Sequence, residues 1–258
     1  MSVETARPAV AAGTEDRTLV RIGRAVFRFR DLVFPLLFFP LAFAGHPLAP
    51  PGPLDRALDL LGLAVLSTGQ LLRVLVMGTT YLRRGGRGRQ VFADSLEQEG
   101  LFAHCRNPLY LGNLLAVAGL AVVRNALPFY LVGLPLFLIL YAAIVRAEED
   151  YLGRRFGAAY EDYERRVPRW WPRLAGLRRT LAGARLDWRA ALRGEYSSAH
   201  TGIVAALLLL VWEDFEAAGW AGARPTLLAS LAVWLPLAAA YLVILRRKKA
   251  GDLGRGYG

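Results

Sequence analysis

The chain has 258 residues, of which 55% are hydrophobic and 21% charged, with a formal net charge of +11. A mean hydropathy of +0.32 beside so many charges requires the apolar residues to be gathered into blocks, the pattern of a polytopic membrane protein. Cys105, the single cysteine, excludes a disulfide within the chain, and His46, His104 and His200 show no metal-ligand spacing.

Residues 1–31 are polar and basic, without the apolar core and small-residue cleavage site of a signal peptide. Six apolar stretches follow, at about 32–48, 58–80, 109–123, 126–145, 201–218 and 226–245. Some fall short of the ~20 residues that a ~30 Å hydrocarbon core prefers. Of the 32 basic residues, 28 fall in alternate connections and the termini; the other connections hold Arg56, Arg124 and Arg224 alone, and Arg73 lies inside the second stretch. This asymmetry predicts six crossings with both termini cytoplasmic. The net charge is then orientation plus attraction to anionic headgroups, and calls for no nucleic acid partner.

The fold expected is all-α, a helical membrane protein with a cytoplasmic pocket. "RRGGRGR" at 83–89 is a flexible basic loop, and 91–105 an extended or interfacial segment. Stretches three and four, joined by "VRNALP", form a tight hairpin whose Asn125 and Pro128 are turn residues. Stretch four continues into an amphipathic surface helix that lasts to Pro168. The expected divisions are 1–31, a basic N-terminal segment; 32–172, the membrane core; 173–200, a basic linker helical over 177–193; and 201–258, a hairpin with a basic tail. The acidic, aromatic "WEDFEAAGW" lies on the outer side, remote from any cytoplasmic chemistry.

Two polar clusters flank the short hairpin. Arg106, Asn107 and Pro108 open stretch three, with Tyr110 and Asn113 in its first two turns; Arg146, Glu148, Glu149 and Asp150 close stretch four. Separately, each has a plain explanation: a capped helix start with an arginine anchor, and a solvated helix end with i,i+3 or i,i+4 ion pairs. The hairpin brings them side by side. An arginine at a helix N-terminus suits a carboxylate, and paired carboxylates suit an ammonium or ribose hydroxyls. A small zwitterion bearing a sugar satisfies both walls. Gly112, Ala116 and Gly119 follow at near small-xxx-small spacing, which admits a closely packed neighbouring helix.

Gly100, Phe102, Arg106, Asn107, Pro108, Tyr110 and Gly112 form the first of two linked motifs; Glu148, Glu149, Leu152, Phe156, Gly157, Tyr160, Tyr163, Val167, Pro168 and Arg169 form the second. Together they resemble the integral membrane methyltransferases, which include isoprenylcysteine carboxyl methyltransferase and the phospholipid N-methyltransferases. The resemblance covers about residues 55–172. It implies S-adenosylmethionine as methyl donor, in a cytoplasmic pocket open sideways to the membrane. Gly100, His104, Arg106, Asn107, Pro108, Tyr110, Gly112, Asn113, Glu148 and Glu149 are then the cofactor-binding candidates. Arg106 and the Asn107–Tyr110 helix start are assigned to the methionine end, and Glu148 or Glu149 to the ribose or amino group. Arg146 and Glu149 are the catalytic candidates, with Arg146 and Arg73 orienting the acceptor. His104 accepts a proton if the acceptor is an amine or thiol. Histidine is commoner in the family where Asn107 stands; asparagine does not titrate near neutrality, so positioning is its expected role.

The acceptor is expected to be a membrane lipid or lipid-linked molecule. Thirty arginines against two lysines suggest a GC-rich, bacterial source, hence an inner (cell) membrane and a lipid amine, carboxylate or hydroxyl acceptor. The alternatives are an NADPH-dependent reductase of the sterol-reductase type and a non-catalytic lipid-binding scaffold. The final hairpin lies outside the resemblance; it either walls the acceptor's groove or meets another subunit.

Overall fold

A computed structural model of the protein describes residues 14–79, 84–87 and 90–250, with side chains described over 17–79 and 93–250. Arg7, Arg83, Arg89 and Arg255, which entered the charge asymmetry, lie outside the described residues.

Helix α1 (Thr14–Phe43) starts inside the basic segment and continues through the first apolar stretch, irregular at Phe29 and carrying Pro35 and Pro40. Helix α2 is Pro53–Thr79. A short antiparallel hairpin follows, β1 (Arg84–Arg87) with β2 (Gln90–Ala93), where a flexible loop was expected. Next come a 3-10 turn at Gly100–Ala103 and α3 (Pro108–Arg124). A π-turn at Phe129–Gly133 runs into α4 (Leu134–Phe156). Asn125 closes α3 in the left-handed region (φ 43°), the turn chemistry expected of it.

The surface helix is not continuous with α4. Gly157, at φ 52°, breaks it before α5 (Ala158–Arg166). In the linker, α6 (Leu177–Gly183) stops early and α7 (Trp188–Ala250) begins three turns before the fifth apolar stretch. The fifth and sixth stretches are the two arms of α7, separated by a break at Ala218 and Gly219. Among the described residues the fold is all-α apart from the β1–β2 hairpin.

Among the described residues, three helices are long and apolar enough to cross a membrane: α2, the Phe129–Phe156 helix and α7; α3 is a shorter apolar helix. Exposed leucines and valines along α7, such as Leu228, Leu235, Leu242 and Val243, are the surface an integral membrane protein offers to lipid.

Lipid tails are as apolar as leucine, so helices in a bilayer are held by close packing rather than by escape from water. The contact between α2 and α3 shows how. A Cβ on Gly69 would stand 2.5 Å from Gly112 O and 2.9 Å from Ala116 N, and one on Gly119 would stand 2.5 Å from Gly62 O. The Gly112–Ala116–Gly119 stripe therefore meets a matching glycine pair, Gly62 and Gly69, on α2. Elsewhere α1 crosses α4 at Gly23, whose Cβ would strike the Ala143 carbonyl. Phe34 stacks on Phe137 and Tyr141 in the same interface, at centroid distances of 5.7 and 4.9 Å. Leu66, Leu120, Ala206 and Leu209 tie α2, α3 and the first arm of α7 together.

Gly69→Val forces α2 and α3 apart, at an expected cost of about 1–3 kcal/mol. The melting temperature of the detergent-purified protein should fall, whereas Gly183→Val, with nothing within 4 Å of its Cβ, should leave it unchanged. Equal melting temperatures for both variants would show that the glycine contact does not hold the helices.

Candidate functional site

Proline at N1 starts α3, and Asn107 occupies the N-cap position, yet its side chain makes no capping bond. It turns away from the helix, donating to Glu149 Oε1 at 3.2 Å and to the Arg169 carbonyl at 3.3 Å. Arg106, 6% exposed, pairs with Glu164 (Nη1–Oε1 2.6 Å) and Glu149 (Nε–Oε1 3.4 Å). Arg169 meets the same two carboxylates, at 2.7 Å to Glu149 Oε2 and 3.8 Å to Glu164 Oε1. Two arginines and two glutamates thus alternate in one cluster.

The backbone braces it. The Arg106 N–H donates to the Pro168 carbonyl (2.9 Å), the Arg173 N–H to the His104 carbonyl (2.9 Å), and the Tyr163 hydroxyl to the Phe102 carbonyl (2.8 Å). The residues of the two sequence motifs therefore hold each other. A buried ion-pair cluster adds little net stability over apolar packing, but removing one partner strands a charge, at about 3–5 kcal/mol.

Beside this cluster lies a cavity of ≈ 720 Å³ bounded by α1, α2, α3, α4 and α7. Its polar side is built from Asn107, Tyr110 and Asn113 of α3, Glu148 of α4 and Arg73 of α2. The Tyr110 hydroxyl donates to Glu148 Oε1 at 2.7 Å. Arg73 grips Glu195 of α7 in a two-pronged pair, Nε to Oε2 at 2.7 Å and Nη2 to Oε1 at 2.9 Å, and gives its Nη1 to Asn113 Oδ1. Gln70 also donates to Glu195 Oε2, at 3.2 Å. Phe27, Phe34, Leu66, Val117 and Leu120 form the apolar side.

The expected site residues divide accordingly. Asn107, Tyr110, Asn113, Glu148 and Arg73 line the cavity together. The others are elsewhere. Glu149, 4% exposed, lies in the ion-pair cluster behind the wall; consecutive helical residues point about 100° apart, and Glu148 takes the inward direction. Arg146, about 200° from Glu148, is likewise absent from the lining. Arg106 has its charge answered by Glu149 and Glu164, so it supports the wall rather than facing the cavity. His104 is a pin for the segment that leads into α6: Nδ1 contacts the Arg173 carbonyl at 2.7 Å and Nε2 the Thr180 hydroxyl at 2.8 Å. Gly100 starts the 3-10 turn at φ 60°, Pro108 starts α3, and Gly112 serves the contact with α2, where a Cβ would meet Arg73 Cγ at 2.6 Å.

Sequence reasoning missed Arg30 of α1, Glu195, and the α7 face formed by Gly194, Ser197, Ser198, Thr201 and Gly202. The signal was present. Those five small residues recur at i, i+3, i+4, i+7 and i+8, one face of a helix, just before an apolar stretch. Glu195 is the one acidic residue between Asp187 and Glu213.

Comparison with known proteins places this geometry. Residues 59–159, which span α2 to the start of α5, match the phospholipid methyltransferase family. The chain is 31% identical over 123 residues to the cobalt-zinc-cadmium resistance protein CzcN of Cupriavidus metallidurans, covering 48% of this chain and 51% of that protein. It is 29% identical over 116 residues to the nickel-cobalt-cadmium resistance protein NccN of Alcaligenes xylosoxydans, covering 45% and 53%. To methanethiol S-methyltransferase 2 of Bradyrhizobium diazoefficiens it is 39% identical over 95 residues, covering 36% and 35%. The chain thus spans about half the length of the two resistance proteins and about a third of the methyltransferase. No solved structure matches it. The matched segment contains the first motif, the second as far as Gly157 and most of the polar side of the cavity, and over that segment the chain is similar to the phospholipid methyltransferase family.

Proposed function

We propose that the protein is an integral membrane methyltransferase that uses S-adenosylmethionine and methylates a lipophilic acceptor. One observation carries the reading: within the family segment, Asn107, Tyr110 and Glu148 converge on a cavity whose other side is apolar. Its volume lies in the ~300–1,000 Å³ range of small-molecule sites.

The residues present fit that cofactor. Glu148, held by Tyr110, offers a carboxylate to an ammonium group or to ribose hydroxyls; Asn107 and Asn113 offer amides; Arg30 brings a cation for a carboxylate. S-adenosylmethionine supplies an activated methyl group, so the protein has to bind, align and exclude water. Glu148 and the amides orient one partner. Arg73, fixed by Glu195 and Asn113, sets the boundary with α7, and the Phe27, Phe34 and Leu120 side keeps water out. The ion-pair cluster fixes the Asn107 side chain and the start of α3 and touches neither reactant.

The acceptor enters along the apolar side, walled by Ser197, Ser198, Thr201 and Gly202 of α7. A phospholipid amine, a prenylated cysteine carboxylate or another lipid hydroxyl or carboxylate meets that description, and the methanethiol relative adds a thiol. Heavy-metal resistance is in the names of two relatives. Among the described residues, however, no group of three or more His, Cys, Asp or Glu is placed to hold a metal ion. The charge asymmetry supports six crossings, with both termini and the Arg106 cluster on the cytoplasmic side of a bacterial inner membrane.

Calorimetric titration of the detergent-purified chain should show binding of S-adenosylhomocysteine and none of NADPH. The reverse result establishes the reductase; binding of neither leaves a scaffold. Glu148→Gln should weaken that binding about tenfold or more, as loss of a charged hydrogen-bond partner does, at nearly normal melting temperature. Glu149→Gln should do the opposite, sharply lowering the melting temperature because Arg106 and Arg169 lose their shared carboxylate. Equal, mild losses in both assays from both variants would return the pair to a solvated helix end.

Gly202→Leu tests the acceptor wall. Its Cβ would stand 3.6 Å from Leu66 Cδ1, ordinary contact, so the leucine narrows the cavity without forcing helices apart. Turnover of a long-chain acceptor should drop while S-adenosylhomocysteine affinity stays within about twofold. Unchanged turnover across phosphatidylethanolamine, a prenylated cysteine and an alkyl thiol would remove α7 from the acceptor site.

A further inference from the structure

At the far end of the bundle, Asp59 stands fourteen residues along α2 from Arg73, about 21 Å of helix. There a second cavity, of ≈ 630 Å³, opens between the start of α2, the α1–α2 connection and the break in α7. Five carboxylates line it: Asp55 and Asp59 from α2, and Glu213, Asp214 and Glu216 from α7. Arg56 and the exposed His46 are the basic residues among the lining.

Some of these carboxylates already have partners. Arg124, fully buried, ties the end of α1 to α7 by donating to the Ala42 carbonyl (2.6 Å) and the Gly45 carbonyl (2.5 Å) and pairing with Glu216 (3.0 Å). Glu216 also meets His46, at 3.2 Å, and Asp214 accepts from the Thr226 hydroxyl. Asp59 and Glu213 differ. Glu213 is 8% exposed and lines the cavity, and its Oε1 has no hydrogen-bond partner; Asp59 Oδ1, also buried, has none either. Both carboxylates border the same cavity. Ionised carboxylates only accept, so neither can satisfy the other without a donor or a cation. An uncompensated buried carboxylate is costly, and a cavity open beside it is where compensation can enter.

We propose that this cavity binds an organic polycation of the diamine or polyamine class, with an ammonium group at Asp59 and Glu213. The size of the cavity and its chemistry select the class. It is much larger than a bare metal ion, and among the described residues no group of three or more His, Cys, Asp or Glu is placed to hold one. Between the carboxylates it presents Pro47, Ala49, Pro50, Leu210 and Ala217, apolar surface suited to the methylenes between two amines. Asp55 and Asp214 stand nearby for the second ammonium.

The test is calorimetry and thermal shift on the full chain in lipid nanodiscs, with spermidine as probe and Zn²⁺, Co²⁺ and Na⁺ in parallel. Spermidine should bind saturably and raise the melting temperature. Glu213→Gln and Asp59→Asn, near-isosteric and outside the methyl-transfer cavity, should each weaken spermidine about tenfold or more. S-adenosylhomocysteine binding in the same variants reports that the fold and the first cavity are intact, so this proposal and the methyltransferase reading fail separately. The polycation site is overturned if spermidine does not bind saturably, or if both variants bind it as the natural chain does. Zn²⁺ or Co²⁺ binding there that spermidine cannot displace also overturns it.

Discussion

The close approach of α2 to α3 is the constraint on which the rest of the site depends. Because Gly69 and Gly112 lack side chains, the two backbones come near enough for Arg73 to lie across Gly112 and reach Asn113. From there its remaining nitrogens face α7, and Glu195 takes them in a two-pronged pair. A larger residue at either glycine would displace the arginine together with the helix. One packing decision made by two missing side chains therefore fixes a polar wall of the cavity and docks the C-terminal arm against it. In a bilayer, where apolar burial gives little selectivity between helix partners, such a contact and a shielded charge pair are what make the arrangement unique.

The ion-pair cluster has a different task. Arg106, Glu149, Glu164 and Arg169 come from four separate places in the chain, and each carboxylate answers both arginines. This explains why the two motifs occur together: "RNP" starts a helix, and "VPR" closes against that start through the Pro168 and Arg169 carbonyls. The cluster places the Asn107 side chain, and with it the first turn of α3 that carries Tyr110 to Glu148. Its charges are spent on one another, so the cavity beside it keeps one carboxylate from this pair of motifs, on Glu148.

Much of the architecture was legible in the sequence because it rests on period and composition. Apolar blocks, the small-residue stripe of α3 and the turn at Asn125 are local facts, and the structure contains each. So was the rule that Glu148 and Glu149 cannot face the same way. Which of them faces inward was not legible, since that depends on where Arg106 and Arg169 stand after folding. Arg106 at a helix start has the chemistry of an anion site, and the sequence does not show that Glu149 and Glu164, which lie 43 and 58 positions away, pair with it in the fold. The break at Gly157 and the early start of α7 were missed for a related reason. Charged and aromatic residues sit at helical spacing through both regions, and the chain direction changes at a single glycine or a four-residue gap.

The division between shared and particular parts of the chain follows the division of the cavity. The match to the phospholipid methyltransferase family covers residues 59–159, and these supply Asn107, Tyr110, Asn113, Glu148 and Arg73 of the polar side. The α7 wall of the cavity lies beyond that segment. That wall is small and hydroxyl-bearing at Ser197, Ser198, Thr201 and Gly202, so its shape changes with single substitutions that leave the α2–α3 contact untouched. Glu195 links the two parts: it adds no group to the cavity lining, yet through Arg73 it fixes how far α7 stands from α3. A chain built this way can reshape the α7 side of its cavity by drifting along one helix face, while the polar side stays tied to the α2–α3 contact and to the ion-pair cluster.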